Sequence, residues 1–245
     1  MAEFGAPVAA ALVTALAPAS GDTVLDAAAG TGDVSEALAG RVARVIAVDL
    51  SPAMVEAARS RELPAVEHRV MDLQALELPD DSVDGVVSRW GYMLVPDPPR
   101  ALAETRRVLR PGGRLAFATW APASRNPWAT AYGPVLVERG LLAPPDPDEP
   151  GQFYLGEPAM IESLVRAAGF DEVTVEEVPV TFRAADWDEY RRIVTSLAAT
   201  MREALARLDE AQRAEVDEAA KARLEAYRSG EAYVLPGVSL VTRAA

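Results

Sequence analysis

Six small residues follow Asp26 in the stretch VLDAAAGTGDVSEAL, residues 24–38, and no sizeable side chain appears before Val34. Small residues let a backbone approach a ligand closely, and glycine adopts positive φ angles at little cost. The chain is rich in alanine throughout, so composition alone also supplies small residues. A carboxylate ends the apolar run directly before these small residues. This favours a turn against which a large molecule lies over an effect of composition.

The turn lies between a predicted first strand and its helix, where open parallel sheets bind ligands at the carboxyl ends of strands. A dinucleotide site requires G-x-G-x-x-G, with a third glycine for tight helix packing. Here Ala28, Gly30 and Asp33 occupy those positions, and Asp33 would bring negative charge towards a diphosphate. The pattern disfavours a nicotinamide dinucleotide.

The pattern instead resembles motif I of class I S-adenosylmethionine-dependent methyltransferases, D-x-G-x-G-x-G. Asp26, Ala28, Gly30 and Gly32 fill its fixed places, with Ala28 in place of the first glycine at a backbone angle that alanine is expected to adopt. Further stretches resemble later motifs in the same order: VIAVDLSPAMVEAAR, VMDLQALELPDDSVDGVVSRWGYML, VLRPGGRLAFATW and AAGFDEVTVEE. The resemblance covers roughly residues 20 to 180, and ordered matches are far more specific than one glycine pattern. The likeness is strongest to the small-molecule branch that includes ubiquinone and menaquinone biosynthesis methyltransferases.

The resemblance implies S-adenosylmethionine as the cofactor and assigns roles at the ends of the strands. Asp49 would accept both ribose hydroxyls, Asp72 would accept from the adenine amino group, and the Leu73 backbone N–H would meet the ring. Met54 would pack against adenine, although a methionine one turn into a helix is as easily a core residue. The full cofactor-binding prediction is Asp26, Ala28, Gly30, Gly32, Asp49, Leu50, Met54, Asp72, Leu73 and Ser88.

The acceptor side of the site is predicted from residues that follow the fourth and fifth strands. Tyr92 is expected to face substrate, and the other predicted substrate contacts are Trp120, Asn126, Trp128 and Tyr154, each of which could instead be a packing residue. The only histidine, His68, lies four residues before Asp72 in a predicted strand, which places it roughly 13 Å from the cofactor end. A general base is therefore a carboxylate or Tyr92, or none is needed, and the catalytic residues stay unassigned.

Short β-branched runs alternate with helical patterns over the first 120 residues, which indicates a parallel sheet with crossover helices. The predicted fold is α/β: a Rossmann-like, mostly parallel, seven-stranded sheet with helices on both faces and a helical cap formed by insertions. We expect a single methyltransferase domain over residues 1–245, with its core at about 6–120, 157–183 and 230–243 and cap insertions at about 121–156 and 184–229. A long helical stretch is predicted from Trp187 to about Arg228.

Composition excludes several classes of chemistry. The chain has no cysteine and one histidine, so disulfides, a cysteine nucleophile and thiolate or histidine-rich metal sites are excluded, and no metal is predicted. Its net charge of −13 opposes a nucleic-acid partner. The apolar start has no preceding Lys or Arg and is too short for a membrane span, so we expect a cytoplasmic protein with no membrane span. The sequence leaves the oligomeric state open.

Together these features predict an enzyme that transfers a methyl group from S-adenosylmethionine to an O, N or C atom of a small, partly apolar molecule. Two alternatives stay open at this stage. One is another transferase with the same cofactor fold, such as an aminopropyltransferase, and the other is a catalytically silent cofactor-binding protein.

Overall fold

The computed structural model describes residues 2–146, 149–197 and 199–245. The strands are β1 (Thr23–Ala27), β2 (Arg44–Asp49), β3 (Val66–Val70), β4 (Val83–Arg89), β5 (Leu109–Trp120), β6 (Val173–Ala184), β7 (Arg228–Ser229) and β8 (Ala232–Ala244). The α-helices in the described ranges are α1 (Ala2–Leu16), α2 (Asp33–Leu38), α3 (Pro52–Arg59), α4 (Pro98–Val108), α5 (Tyr132–Glu138), α6 (Pro158–Ala167), α7 (Trp187–Leu197), α8 (Ala199–Ala206) and α9 (Glu210–Leu224).

The strands form one sheet in the order β3-β2-β1-β4-β5-β8-β6, and β7 pairs with β8. β1 to β5 pair in parallel, and β8 runs antiparallel to β5. The chain order reverses beside β1, so the carboxyl ends of β1 and β4 form the switch point at which such sheets bind ligands. The predicted α/β class is confirmed. The count of seven strands is wrong, because the two-residue β7 adds an eighth.

The central strands are buried on both faces, as parallel strands between helix layers must be. Val24 and Leu25 of β1 and Val86 and Val87 of β4 have no exposed surface. Helix α3 begins as the sequence indicates, with Pro52 in its first turn and the Ser51 hydroxyl accepting from a backbone N–H. The buried strands and the capped start of α3 hold the carboxyl ends of the strands in a fixed position.

The chain divides into two compact units. The first contains Met1–Ala121, Asp148–Val178 and Ser239–Ala245, and the second contains Pro122–Pro147 and Pro179–Val238. In the second unit, the predicted helical stretch from Trp187 to about Arg228 contains α7, α8 and α9. The separate start of α9 is a capping box, in which Asp209 and Gln212 each accept from the other's backbone N–H. Among the described residues, no helix combines the length and apolar character needed to cross a bilayer.

Candidate active site

The small residues after Asp26 form a tight turn between β1 and α2. The Ala29 N–H donates to the Val48 carbonyl at 2.9 Å, which fastens the turn to the end of β2. Gly30 and Gly32 have φ angles of 56° and 86°, a region that favours glycine. A Cβ added at Gly30 would meet no atom within 4 Å. The turn therefore presents bare backbone to open space, as a close ligand contact requires.

Ala28 adopts a φ of 57°, in the left-handed region. Alanine therefore adopts the backbone angle that this position requires, although the left-handed conformation costs a non-glycine residue about 1–2 kcal/mol. Gly91 accommodates the Ala28 side chain: a Cβ on Gly91 would lie 2.6 Å from both the Ala28 Cβ and the Ser88 Oγ. No pattern in the sequence indicates this close approach between β1 and the residues after β4.

Asp26 is fully buried at the end of β1. Its Oδ2 accepts from the Ser35 hydroxyl at 2.6 Å, whereas its Oδ1 has no partner among the described residues. Burial raises the pKa of Asp26 to about 6, against the opposing effects of the Ser35 hydrogen bond and the positive charge of Arg89. A buried carboxylate oxygen without a donor fits a site completed by a ligand that carries a donor or a cation.

Asp49 ends β2 and holds the glycine turn. Its Oδ2 accepts from the Gly30 N–H and its Oδ1 from the Ser51 N–H, each at 2.9 Å. The side chain is half-buried, and each carboxylate oxygen retains lone-pair capacity for a further donor. This geometry is compatible with the predicted acceptance of two ribose hydroxyls beside the turn.

Large apolar side chains are exposed at the same edge of the sheet. Leu50 is 67% exposed, Met54 44% and Val70 50%, and they follow or end β2 and β3. Met54 is therefore not a core residue. Exposed apolar side chains grouped in this way provide a surface on which a flat aromatic base can pack.

Asp72 and Leu73 follow β3 in the order that the motif predicts. Asp72 is half-buried and accepts from the Gln74 backbone N–H at 2.9 Å and from the Gln74 side-chain amide at 3.1 Å. These hydrogen bonds hold the pKa of Asp72 below its usual value. An adenine amino group would have to share this carboxylate with Gln74. Leu73 is buried, and so is Ser88, whose hydroxyl has no partner among the described residues.

The structure argues against the predicted role of Tyr92. Its side chain has no exposed surface, packs edge-on against Phe117 and is hydrogen-bonded to the Thr105 hydroxyl. Burial raises the pKa of Tyr92 further above its ordinary value. A hydroxyl held in the core in this way neither faces an acceptor nor serves as a general base. The Tyr92 side chain thus packs against Phe117 and Thr105 instead of lining the sheet edge.

Trp120 is also an interior residue of the first unit. It is 3% exposed and stacks on Trp90 and Phe4, with ring centroids 4.4 Å and 5.5 Å apart. Trp90 is further anchored by its indole N–H, which donates to Ser239 at 3.1 Å. The predicted acceptor contact of Trp120 is not supported, because its ring is used in this stack. Tyr154 is half-exposed, and its acceptor contact stays a prediction.

Asn126 and Trp128 lie in the interior of the second unit. The Asn126 Oδ1 accepts from the Trp128 indole at 3.1 Å and from the Val238 N–H at 3.0 Å, and Trp128 stacks on Phe182. Both residues are buried, so their predicted substrate contacts are not supported. The open cleft of this unit, about 820 Å³ in volume, is lined mainly by arginines and carboxylates. The aromatic rings of Trp128, Phe182 and Tyr190 instead pack on one another in the core of the unit.

His68 lies within β3, where it pairs with Ala47 of β2. It is half-buried, and its Nδ1 has no partner among the described residues. Burial, together with the charge of Arg59, lowers the pKa of His68. The strand position is the one that the sequence predicts, four residues before Asp72.

Comparison with known proteins identifies a family for part of the chain and relatives of known name. Residues 25–117 match the family described as a methyltransferase domain. The demethylmenaquinone methyltransferase of Renibacterium salmoninarum is 36% identical over 126 residues, which are 51% of this chain and 53% of that protein. The ubiquinone/menaquinone biosynthesis C-methyltransferase of Hydrogenovibrio crunogenus is 31% identical over 171 residues, or 62% of this chain and 66% of that protein. The chain spans about half the length of the curated relatives that it matches.

Among solved structures, phosphoethanolamine N-methyltransferase 2 of Haemonchus contortus, in complex with S-adenosyl-L-methionine, has a TM-score of 0.60 at 21% identity. The match covers 97% of this chain and 51% of that one. The fold is shared with this methyltransferase structure, and residues 25–117 match the family described as a methyltransferase domain. The family match confirms the resemblance seen in the motifs.

Proposed function

We propose that the protein transfers a methyl group from S-adenosylmethionine to an O, N or C atom of a small, partly apolar molecule. The observation that carries the proposal is the open glycine turn, whose Gly30 N–H is held by Asp49 beside exposed apolar side chains. Relatives named for methyl transfer in quinone biosynthesis support a small aromatic acceptor.

When bound, the cofactor supplies a methyl group already activated by its sulfonium sulfur. The residues of this chain then have to bind and orient the cofactor and the acceptor, and to exclude water from the two reacting groups. The Gly30 backbone permits close approach, Asp49 offers two acceptor oxygens, and Leu50 and Met54 offer an apolar surface. With Tyr92 fixed in the core and His68 inside β3, neither residue is proposed as a base, and we propose catalysis mainly by positioning.

The alternatives of aminopropyl transfer and of a silent cofactor-binding protein are not favoured by the comparisons, since the relatives are named as methyltransferases. We propose further that the division into a core and a helical cap expected from the sequence holds. The cytoplasmic location and the absence of a nucleic-acid partner stay predictions.

The test uses the purified full chain, cofactor carrying a ¹³C-labelled methyl group and a panel of quinols, phenols and amines. We expect S-adenosylhomocysteine to form together with an acceptor that has gained the labelled methyl group. Asp49→Asn serves as the control with an impaired cofactor site. Bound cofactor that is never turned over with any acceptor class would instead identify a silent binding protein, and transfer of an aminopropyl group from the decarboxylated cofactor would identify the other alternative.

A further inference from the structure

The open cleft of the second unit is lined by residues of α7, α8 and α9, and each helix presents a polar side to it. Its volume of about 820 Å³ is typical of small-molecule sites. On each helix the lining residues lie about one turn apart and so share one side. They include Arg191, Arg192 and Thr195 of α7, Arg202 of α8, and Arg213 and Asp217 of α9. Arginines gathered around one concave space make an anion a candidate ligand.

Asp217 fixes one of these arginines in the buried part of the cleft wall. The Asp217 side chain is 12% exposed. Its Oδ1 accepts from the Tyr132 hydroxyl at 2.8 Å, and its Oδ2 accepts from the Arg191 Nη1 at 3.0 Å. Burial and the neighbouring Asp217 carboxylate raise the pKa of Tyr132 above its ordinary value, so the hydroxyl keeps the proton that it donates. The charge of Asp217 is therefore compensated within the protein.

The other three carboxylates of the lining lie at the start of α7, and each of them has a partner. Asp186 and Glu189 each accept from a backbone N–H near the start of the helix, at 2.8 Å and 2.7 Å. Glu189 also forms an ion pair with Arg192, at 3.5 Å between nitrogen and oxygen. Asp188 lies 3.4 Å from a guanidinium nitrogen of Arg191. The carboxylates of the cleft are thus engaged with donors of α7 and of Tyr132.

Arg202 and Arg213 are the lining arginines that no carboxylate among the described residues compensates. The Arg213 Nη2 donates to the Leu205 carbonyl at 3.0 Å, which holds this guanidinium of α9 against α8. Arg202 lies about one turn before Leu205 on α8, and it has no hydrogen bond or ion pair with any described residue. Two positive charges from different helices therefore lie along the same side of α8 without a counter-charge.

The charge of the whole chain shows that this positive charge is a local feature. The chain has a net charge of −13, so its long-range field repels anions. Guanidinium groups match the oxygen atoms of phosphate and carboxylate groups, and two of them can bind several oxygens of one ligand. An anion would therefore gain from contact with both arginines and not from the protein surface in general.

We propose that this cleft binds a small organic anion through its phosphate or carboxylate oxygens, with Arg202 and Arg213 as the residues that contact it. All the residues that carry the proposal belong to the second unit, whereas the proposed cofactor residues belong to the first. The anion is therefore a ligand other than the cofactor, and the inference goes beyond the proposed methyl transfer.

The test is calorimetric titration of the full chain, without cofactor, with pyrophosphate and with citrate at constant ionic strength. We expect at least one of these anions to bind with a Kd below about 1 mM. Arg202→Gln should weaken that binding roughly tenfold and leave stability unchanged, because Arg202 has no polar partner among the described residues. Arg207→Gln is the matched control, since Arg207 is an exposed arginine just after α8 that does not line the cleft. It changes the net charge equally, and we expect it to bind the anion within about twofold of wild type.

Binding of pyrophosphate alone would identify a phosphate site, and binding of citrate alone would identify a carboxylate site. Binding of neither anion, or an equal loss in Arg202→Gln and Arg207→Gln, would overturn the proposal. Arg202→Gln should bind S-adenosylhomocysteine as wild type does, and a loss there would place Arg202 in the cofactor site and contradict a separate ligand. Failure of the wild-type chain to bind S-adenosylhomocysteine would instead contradict the proposed function, whereas the anion titration tests the cleft by itself.

Discussion

The carboxyl group of Asp26 is buried at the end of β1 with one oxygen unpartnered, and this makes its ionisation costly. Its raised pKa, about 6 against 3.8 in the unfolded chain, gives the ligand-free protein a stability contribution that is complete below pH 3.8. This contribution is lost as pH rises through about 6, because the folded state then has to ionise the group.

Replacement of Asp26 by asparagine removes this ionisation. We expect the free energy of unfolding of Asp26→Asn, relative to that of the wild type, to rise between about pH 4 and pH 7, by up to about 3 kcal/mol at ~1.4 kcal/mol per pKa unit. Urea denaturation of both ligand-free proteins across this range measures the difference. A difference that stays constant with pH would show that Asp26 ionises in the folded chain as it does in the unfolded one.

The left-handed backbone of Ala28 predicts an unusual response to glycine. Ala28→Gly should leave stability unchanged or increase it by up to about 1 kcal/mol, because relief of the left-handed strain opposes the greater chain entropy of glycine. Ala29→Gly, in the same turn but outside the positive-φ region, should lose about 0.5–1 kcal/mol. Chemical denaturation of the two variants provides the comparison, and equal losses would be inconsistent with strain at Ala28.

At the scale of elements, Gly30 is the part of the turn that a ligand should contact. Gly30 and Gly40 share a positive φ and open space where a Cβ would lie, so Gly30→Ala and Gly40→Ala should lose similar stability, about 1 kcal/mol each. Only Gly30→Ala should weaken binding of S-adenosylhomocysteine, since Gly40 lies after α2. Parallel calorimetry and denaturation separate the two effects, and normal binding by Gly30→Ala would refute close approach at the turn.

The packing of β1 against the residues after β4 is tested at Gly91. Gly91→Ala would place its Cβ 2.6 Å from the Ala28 Cβ and the Ser88 Oγ, and we expect a loss of about 1–3 kcal/mol. Adding Ala28→Gly removes one of the two clashes, so the double variant should recover part of that loss. A double-mutant cycle on unfolding free energies measures the coupling, and strictly additive effects would argue against contact.

Much of the element pattern could be predicted, because its signals are local. The short β-branched runs of the sequence form strands such as β2 and β3, and the side chains of Ser51 and Asp97 cap the starts of α3 and α4. The break between α8 and α9 could not be predicted from composition, which stays helical across it, because the Asp209 capping box that starts α9 depends on a few side chains.

The positions of the predicted site residues could be derived from the sequence only where they follow from strand pairing. The strand-end residues Asp26, Asp49 and Asp72 lie at the edge that parallel pairing dictates. Tyr92 and Trp128 were misassigned because whether an aromatic ring faces a ligand or the core depends on tertiary packing, which no spacing reveals.

At the scale of the whole molecule, the only histidine lies inside a strand, away from the carboxyl edge of the sheet where the methyl transfer is proposed. His68 lies within β3, with β2 beside it, instead of at the carboxyl edge. We expect His68→Gln to retain turnover within about twofold of wild type and to keep every limb of the pH–rate profile. Steady-state kinetics across pH provide the test, and a large loss of turnover with cofactor affinity intact would contradict positioning as the main source of catalysis.

The central claim is that the cofactor binds at the carboxyl edge of the sheet with Asp49 as the acceptor for its ribose hydroxyls. The most direct test is calorimetric titration of S-adenosylhomocysteine into matched carboxylate variants. Asp49→Asn should bind roughly tenfold or more weakly than wild type, since charged hydrogen bonds are worth about 1.5–3 kcal/mol each. Asp84→Asn is the control, because Asp84 also accepts from a backbone N–H, at 2.8 Å from Thr23, but lies near the start of β4. It should bind as wild type does. Wild-type affinity in Asp49→Asn, or an equal loss in Asp84→Asn, would contradict this placement.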